Sequence, residues 1–263
     1  MGMTGGIYMQ MHLQTMARTL EMPVAVEIIL PDQISDEPMK SLYLLHDYGG
    51  NRMQWNQKTA LERYVTGMNL AVIMVDGNNR YFVNPPDGHN YGEYVTKELP
   101  VYLEELLPIS KKRKDRMIAG GGMGGYGALR AFLAEPENYG EAAAWNPHLG
   151  MEKRYEKHLS PDLRYTFGER KAWKNSGNDL FYLAEQHKGQ NGSVMGKIRI
   201  QWESGWADRE EAERLAELCR KNGNDVMASE ETVRKDGPVS DVWEFYDQML
   251  CRWLLEKREE WGK

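Results

Sequence analysis

The chain predicts an α/β fold. The expected form is a mostly parallel central sheet, opened by an N-terminal antiparallel hairpin, with helices on both faces. Three observations carry this. Short apolar runs alternate with stretches whose apolar residues recur every three or four positions, as strands joined through helices require. One run, Leu70-Ala71-Val72-Ile73-Met74-Val75, is apolar throughout, which suits a parallel strand covered on both faces. The stretch Met117–Leu129 reads as a strand, a very tight glycine turn and a helix. A length of 263 residues, with 41% hydrophobic and 27% charged content, suffices for a real core. One domain over 1–263 is expected.

Residues 7–14 and 22–30 are extended runs joined by a polar turn, an antiparallel hairpin at a sheet edge. A loop rich in Asp, Glu and Pro covers 31–40, and Ser41–Leu45 is a buried strand running into His46-Asp47-Tyr48-Gly49-Gly50. A helix is expected over 58–67, then the strand to Val75, then a polar-aromatic loop over 80–90. That loop follows a strand's carboxyl end, where open α/β sheets bind ligands. Helices are expected over 91–107, from the glycine turn to about Glu135, over 209–222 and over about 240–258. Strands are expected at 142–145, 197–203 and 225–229, and the polar segment 147–195 is read as an insertion over the strand ends. The basic run Lys111-Lys112-Arg113-Lys114 is read as a solvated loop.

The formal charge of −6 argues against nucleic acid and anionic membrane as partners. No apolar run approaches a membrane span. The N-terminal residues lack a basic region followed by an apolar one, and Gly6 stands where a myristoylation signal needs Ser or Thr. Cys219 and Cys251 imply no disulfide framework. A cytoplasmic location follows by default. No His, Asp and Glu spacing suggests a metal, and no cofactor is expected. The sequence is compatible with a homo-oligomer without specifying one.

The glycine turn carries the functional question. In an α/β-hydrolase such a turn reads G-x-S-x-G, with the nucleophilic Ser at the tip in a strained conformation. Here the spacing is Gly120-x-Gly122-x-Gly124, and the tip is Gly122. Glycine keeps the turn and removes the attacking oxygen. Gly120-x-Gly122-x-x-Gly125 also fits a dinucleotide fingerprint, but the next apolar run ends in Asn146 and Pro147, not in an acid. The plainest alternative is a helix packed closely on its sheet.

Beyond this turn the sequence resembles the esterase family that includes esterase D, S-formylglutathione hydrolase and small acetyl and feruloyl esterases. The matching stretches are Leu42–Gly50, Leu70–Gly77, Glu98–Ile109, Ile118–Leu129 and Trp243–Leu254. The resemblance implies an α/β-hydrolase fold and ester hydrolysis by a Ser-Asp-His triad. In that chemistry Ser attacks the acyl carbon, His takes its proton, Asp orients the His, and two backbone N–H groups hold the oxyanion.

Carried over position by position, the triad is missing. Gly122 stands on the nucleophile, Trp206 on the acid and Asp241 on the histidine. Asp208 would serve as acid only in a shifted loop, and no His follows His187. Asp241 is otherwise read as an acid in a helix's first turn, behind Ser240 as a cap. The oxyanion hole is better kept, with the backbone N–H groups of Met123 and Tyr48. Asp47 stands where the family has Gly, and is expected to face solvent or cap a turn. His46 is read as turn-packing. His89 and His148 are the histidines that could face the cleft. His46, Asp47, Trp55, Tyr81 and His148 are expected at the pocket, where Trp55, Tyr81, Phe82 and Trp206 would suit a sugar or aromatic acyl group. The expectation is a non-catalytic binder of a small ligand or partner, with an unconventional ester hydrolase as the alternative and a dinucleotide binder as a minor one.

Overall fold

The computed structural model describes residues 8–31, 35–86, 88–156, 161–186, 195–233 and 241–262. The chain opens with β1 (Tyr8–Ala17) and β2 (Met22–Pro31), paired antiparallel from Tyr8↔Pro31 to Ala17↔Met22. This is the expected hairpin, with a longer first strand. Then come β3 (Lys40–Leu45), α1 (Gln54–Lys58), α2 (Leu61–Val65) and β4 (Leu70–Val75). The chain continues through α3 (Tyr91–Glu93), a wide π turn (Tyr94–Glu98), α4 (Leu99–Leu106), β5 (Arg116–Gly121), α5 (Gly122–Ala134) and β6 (Glu141–Trp145). Four short helices follow: α6 (Met151–Glu156), α7 (Pro161–Phe167), α8 (Arg170–Trp173) and α9 (Leu180–Gln186). It ends with β7 (Lys197–Glu203), α10 (Arg209–Lys221), β8 (Asp225–Glu231) and α11 (Val242–Trp261).

The eight strands form one sheet in the order β1-β2-β4-β3-β5-β6-β7-β8. The β1–β2 and β2–β4 pairs are antiparallel, and every later pair is parallel. Both faces are covered. Along β3, Tyr43 and Leu45 join the core under α3–α5 and α10, while Leu42 and Leu44 join the core under α1, α2 and α11. That two-sided burial is why the central strands read as unbroken apolar runs.

Two expected helices are interrupted. The helix foreseen over 58–67 is split into α1 and α2. Thr59 turns its hydroxyl to Trp55 O (2.6 Å), and Asp247 of α11 accepts from Ala60 N (2.9 Å), capping the second piece from across the fold. The helix over 91–107 contains the π turn ahead of Pro100. Proline has no N–H for the carbonyl one turn back, and the wider turn absorbs the defect. Among the described residues no helix is long and apolar enough to cross a membrane.

Candidate functional site at the glycine turn

The carboxyl ends of β3, β5 and β6 lie side by side, with Leu45 opposite Gly120 and Gly121 opposite Trp145. The chain leaves β5 directly into α5 through Gly122, at φ +51°. This is the left-handed region, where a Cβ is strained. Two residues on, a Cβ on Gly124 would stand 2.4 Å from Leu45 O. The glycines thus make both the sharp turn and the close approach of α5 to β3.

The decisive side chain is Asp47. Of the two expected placements, solvent and a turn cap, it takes the second, turning inward onto backbone N–H groups. Its Oδ1 accepts from Met123 N (2.8 Å) and Tyr48 N (2.6 Å), and its Oδ2 accepts from Tyr246 Oη (3.0 Å). The reason is donor satisfaction. An N–H at a helix start and a buried phenol need an acceptor, and a carboxylate is a strong one. The two backbone groups expected to form an oxyanion hole are therefore brought together, and both point at Asp47 Oδ1. A Cβ on Gly122 would stand 2.0 Å from that oxygen and 2.4 Å from Cγ and Oδ2. The carboxylate fills the space in which a nucleophilic side chain would begin.

Tyr246, on α11, is fully buried. Burial first, then the Asp47 charge and hydrogen bond, hold its hydroxyl well above the ordinary phenol range, so it stays protonated and donates to Asp47. Nothing local in the sequence marks it as a site residue.

The histidines take separate places. His46 is buried; its Nδ1 bonds Asp47 O (2.8 Å), and its Nε2 accepts from Gly77 N (2.9 Å). Burial lowers its pKa, and both ring nitrogens are spent on backbone. His148 is tied to the turn through its backbone, whose N–H donates to Gly122 O (3.1 Å). Its Nδ1 lies 3.2 Å from Tyr81 Oη, and its ring stacks on Trp206 at 6.3 Å between centroids and 9° between planes. Burial pushes its pKa down to about 4, with the Arg154 charge adding to the fall and Asp47 and Asp208 opposing it, so the imidazole is neutral at pH 7. His89 is exposed, with Nδ1 at 2.5 Å from Leu20 O in the hairpin turn. His187 lies outside the described residues.

The residues at the positions matching the triad are engaged in other contacts. Trp206 lies against His148. Asp208 is buried, accepting from Leu149 N (3.0 Å) and pairing with Arg154 (3.1 Å). Asp241 is itself the N-cap of α11, accepting from Trp243 N (3.3 Å), while Ser240, the expected cap, lies outside the described residues. Among the described residues the only histidine–carboxylate ion pair is His12–Glu27 (2.6 Å), on the hairpin.

Tyr81, at φ +54°, sits edge-on to Tyr126 and Phe167 and near Tyr48 at 6.5 Å between centroids. Phe82 is buried edge-on to His46. Trp55 is corrected from pocket to core. It is fully buried, edge-on to Trp243 at 4.9 Å between centroids, with Nε1 donating to Leu45 O (2.9 Å). Arg154 was missed by the sequence reading, because a lone Arg in a polar segment carries no signal. Among the described residues no group of three or more His, Cys, Asp or Glu could hold a metal ion.

The family model described as "Putative esterase" matches residues 17–224. The chain belongs to that family. Among its relatives, this esterase-family chain is 28% identical over 232 residues to an acetyl esterase of Caldicellulosiruptor saccharolyticus, covering 84% of this chain and 85% of the relative. In three dimensions it matches FphF of Staphylococcus aureus, a fluorophosphonate-binding serine hydrolase. The TM-score is 0.82 at 22% identity, covering 95% of this chain and 98% of that one. An S-formylglutathione hydrolase of Agrobacterium tumefaciens matches at TM-score 0.76 and 17% identity, with 96% of each chain covered. The esterase-family chain therefore has the α/β-hydrolase fold.

Proposed function

We propose that this family member is a single α/β-hydrolase domain, with 147–195 lying over the strand ends, that has lost serine-esterase chemistry and binds a small ligand or partner. The observation carrying this reading is the Asp47 carboxylate, seated on the Met123 and Tyr48 amides against Gly122. An ester carbonyl developing negative charge would have to displace an anion already there. Loss of a triad member costs about 10⁴-fold or more in rate, and all three matching positions carry other residues here.

One observation favours a second reading, ester hydrolysis by an unconventional arrangement. His148 is neutral, tied to Gly122 and close enough to Asp47 to feel its charge, as a general base for water would have to be. The dinucleotide reading is weaker still, since the Met123 amide that a pyrophosphate would use already serves Asp47.

The test is turnover of p-nitrophenyl acetate by the purified chain beside its His148→Gln variant. The first reading expects both at the buffer rate. A wild-type rate well above buffer overturns it, and loss of that rate in His148→Gln assigns the activity to the second. A dinucleotide at the glycine turn would give an NADH fluorescence change that Gly122→Ser abolishes; the first reading expects no such change.

A further inference from the structure

At the amino ends of the parallel strands, opposite Gly122, lies a groove of about 860 Å³. The six residues of β5 separate the two ends by about 20 Å. The groove is lined by Lys40, Lys111, Lys112, Lys114 and Arg258, with Trp261 beside them. Against these five cations stand two carboxylates, Glu37 and Asp115. Asp115 is already committed, to Lys40 Nζ at 2.5 Å and Ser110 Oγ at 2.7 Å. Arg258 gives its Nη2 to the carbonyls of Tyr64 and Thr66 (2.7 and 2.8 Å), which leaves its charge unneutralised. Lys111, Lys112 and Lys114 are exposed and make no ion pair among the described residues. Lys40 Nζ also sits 5.2 Å from the centre of the Trp261 ring.

This concentration of positive charge is not a by-product of composition, because the chain as a whole carries −6. Unpaired cations lining a concavity raise the local potential and attract anions. The volume is that of a small-molecule site, and the wall is concave rather than flat, which disfavours a membrane or a nucleic-acid duplex. Several ammonium groups beside a guanidinium suit adjacent phosphates. We propose that the groove binds a small polyanion carrying linked phosphate groups, independently of the glycine turn and of whatever occurs there.

The test is calorimetric titration of the full chain with inorganic tripolyphosphate, ATP and adenosine. A Lys111→Glu/Lys112→Glu/Lys114→Glu variant and a His148→Gln variant are run alongside. Tripolyphosphate and ATP are expected to bind one per chain, and adenosine not at all. Affinity should fall at least tenfold in the triple variant and fall again as salt rises from about 0.05 M to 0.5 M. His148→Gln should leave it unchanged, which separates this site from the proposed function. Should the triple variant unfold, Lys112→Glu alone and the salt dependence carry the same test. Absence of tripolyphosphate binding at millimolar concentration overturns the proposal. So does ATP binding without tripolyphosphate binding, equal affinity in a folded triple variant, or binding confined to RNA or phosphatidylserine vesicles.

Discussion

Asp47 and Gly122 exclude any third arrangement between them: a Cβ at position 122 would stand 2.0 Å from Asp47 Oδ1. The two residues are thus a linked pair. While the carboxylate rests on the Met123 amide, position 122 has room for hydrogen alone.

Gly122→Ser is therefore expected to destabilise the protein by about 2–4 kcal/mol, from crowding against Asp47 and from a side chain at φ +51°. With Asp47→Gly also in place, the crowding disappears and the strain remains. A urea-denaturation cycle over the four proteins should give a coupling of at least about 1 kcal/mol. Purely additive costs would mean that Asp47 does not occupy this space.

Removing the acceptor should cost more than removing one donor. Asp47→Ala leaves the Met123 amide and the buried Tyr246 hydroxyl unpaired, at about 1–3 kcal/mol. Tyr246→Phe leaves the carboxylate two amides and is expected to cost about 0.5–1.5 kcal/mol. Chemical denaturation reads both, and a neutral Asp47→Ala would contradict the arrangement.

His148 makes acid sensitivity testable. Its folded pKa, about 4, lies below the ordinary 6.5. Above pH 6.5 the group is neutral in both states and contributes nothing. As pH falls from 6.5 toward 4 the unfolded chain takes up the proton first, so stability drops, and below about 4 the loss is complete. The full penalty is on the order of 3 kcal/mol. The difference in melting temperature between wild type and His148→Gln should change across this window and be flat above pH 7. A flat difference throughout would mean that the imidazole protonates freely in the fold.

Asp241→Ala should remove the α11 cap at a cost of about 1 kcal/mol, without changing the p-nitrophenyl acetate background. A change in that background would place Asp241 in the chemistry instead.

Much of this was written locally. Strands such as Leu70–Val75 and the hairpin are set by runs and turns that neighbours in sequence reveal, and the glycine spacing at 120–124 announces the turn. Trp55 was misplaced, because its burial depends on Trp243 and Tyr246, which arrive from α11. The break at Thr59–Ala60 likewise depends on Asp247, 187 residues away.

By itself, then, the sequence determined the family, the scaffold and the residue types at the turn, since each rests on short-range pattern or on residue identity. The direction of the Asp47 carboxylate was decided only by the tertiary structure. Its donors Met123 and Tyr246 stand 76 and 199 positions away, and only the packing of α5 and α11 against β3 brings those unpaired groups to one point.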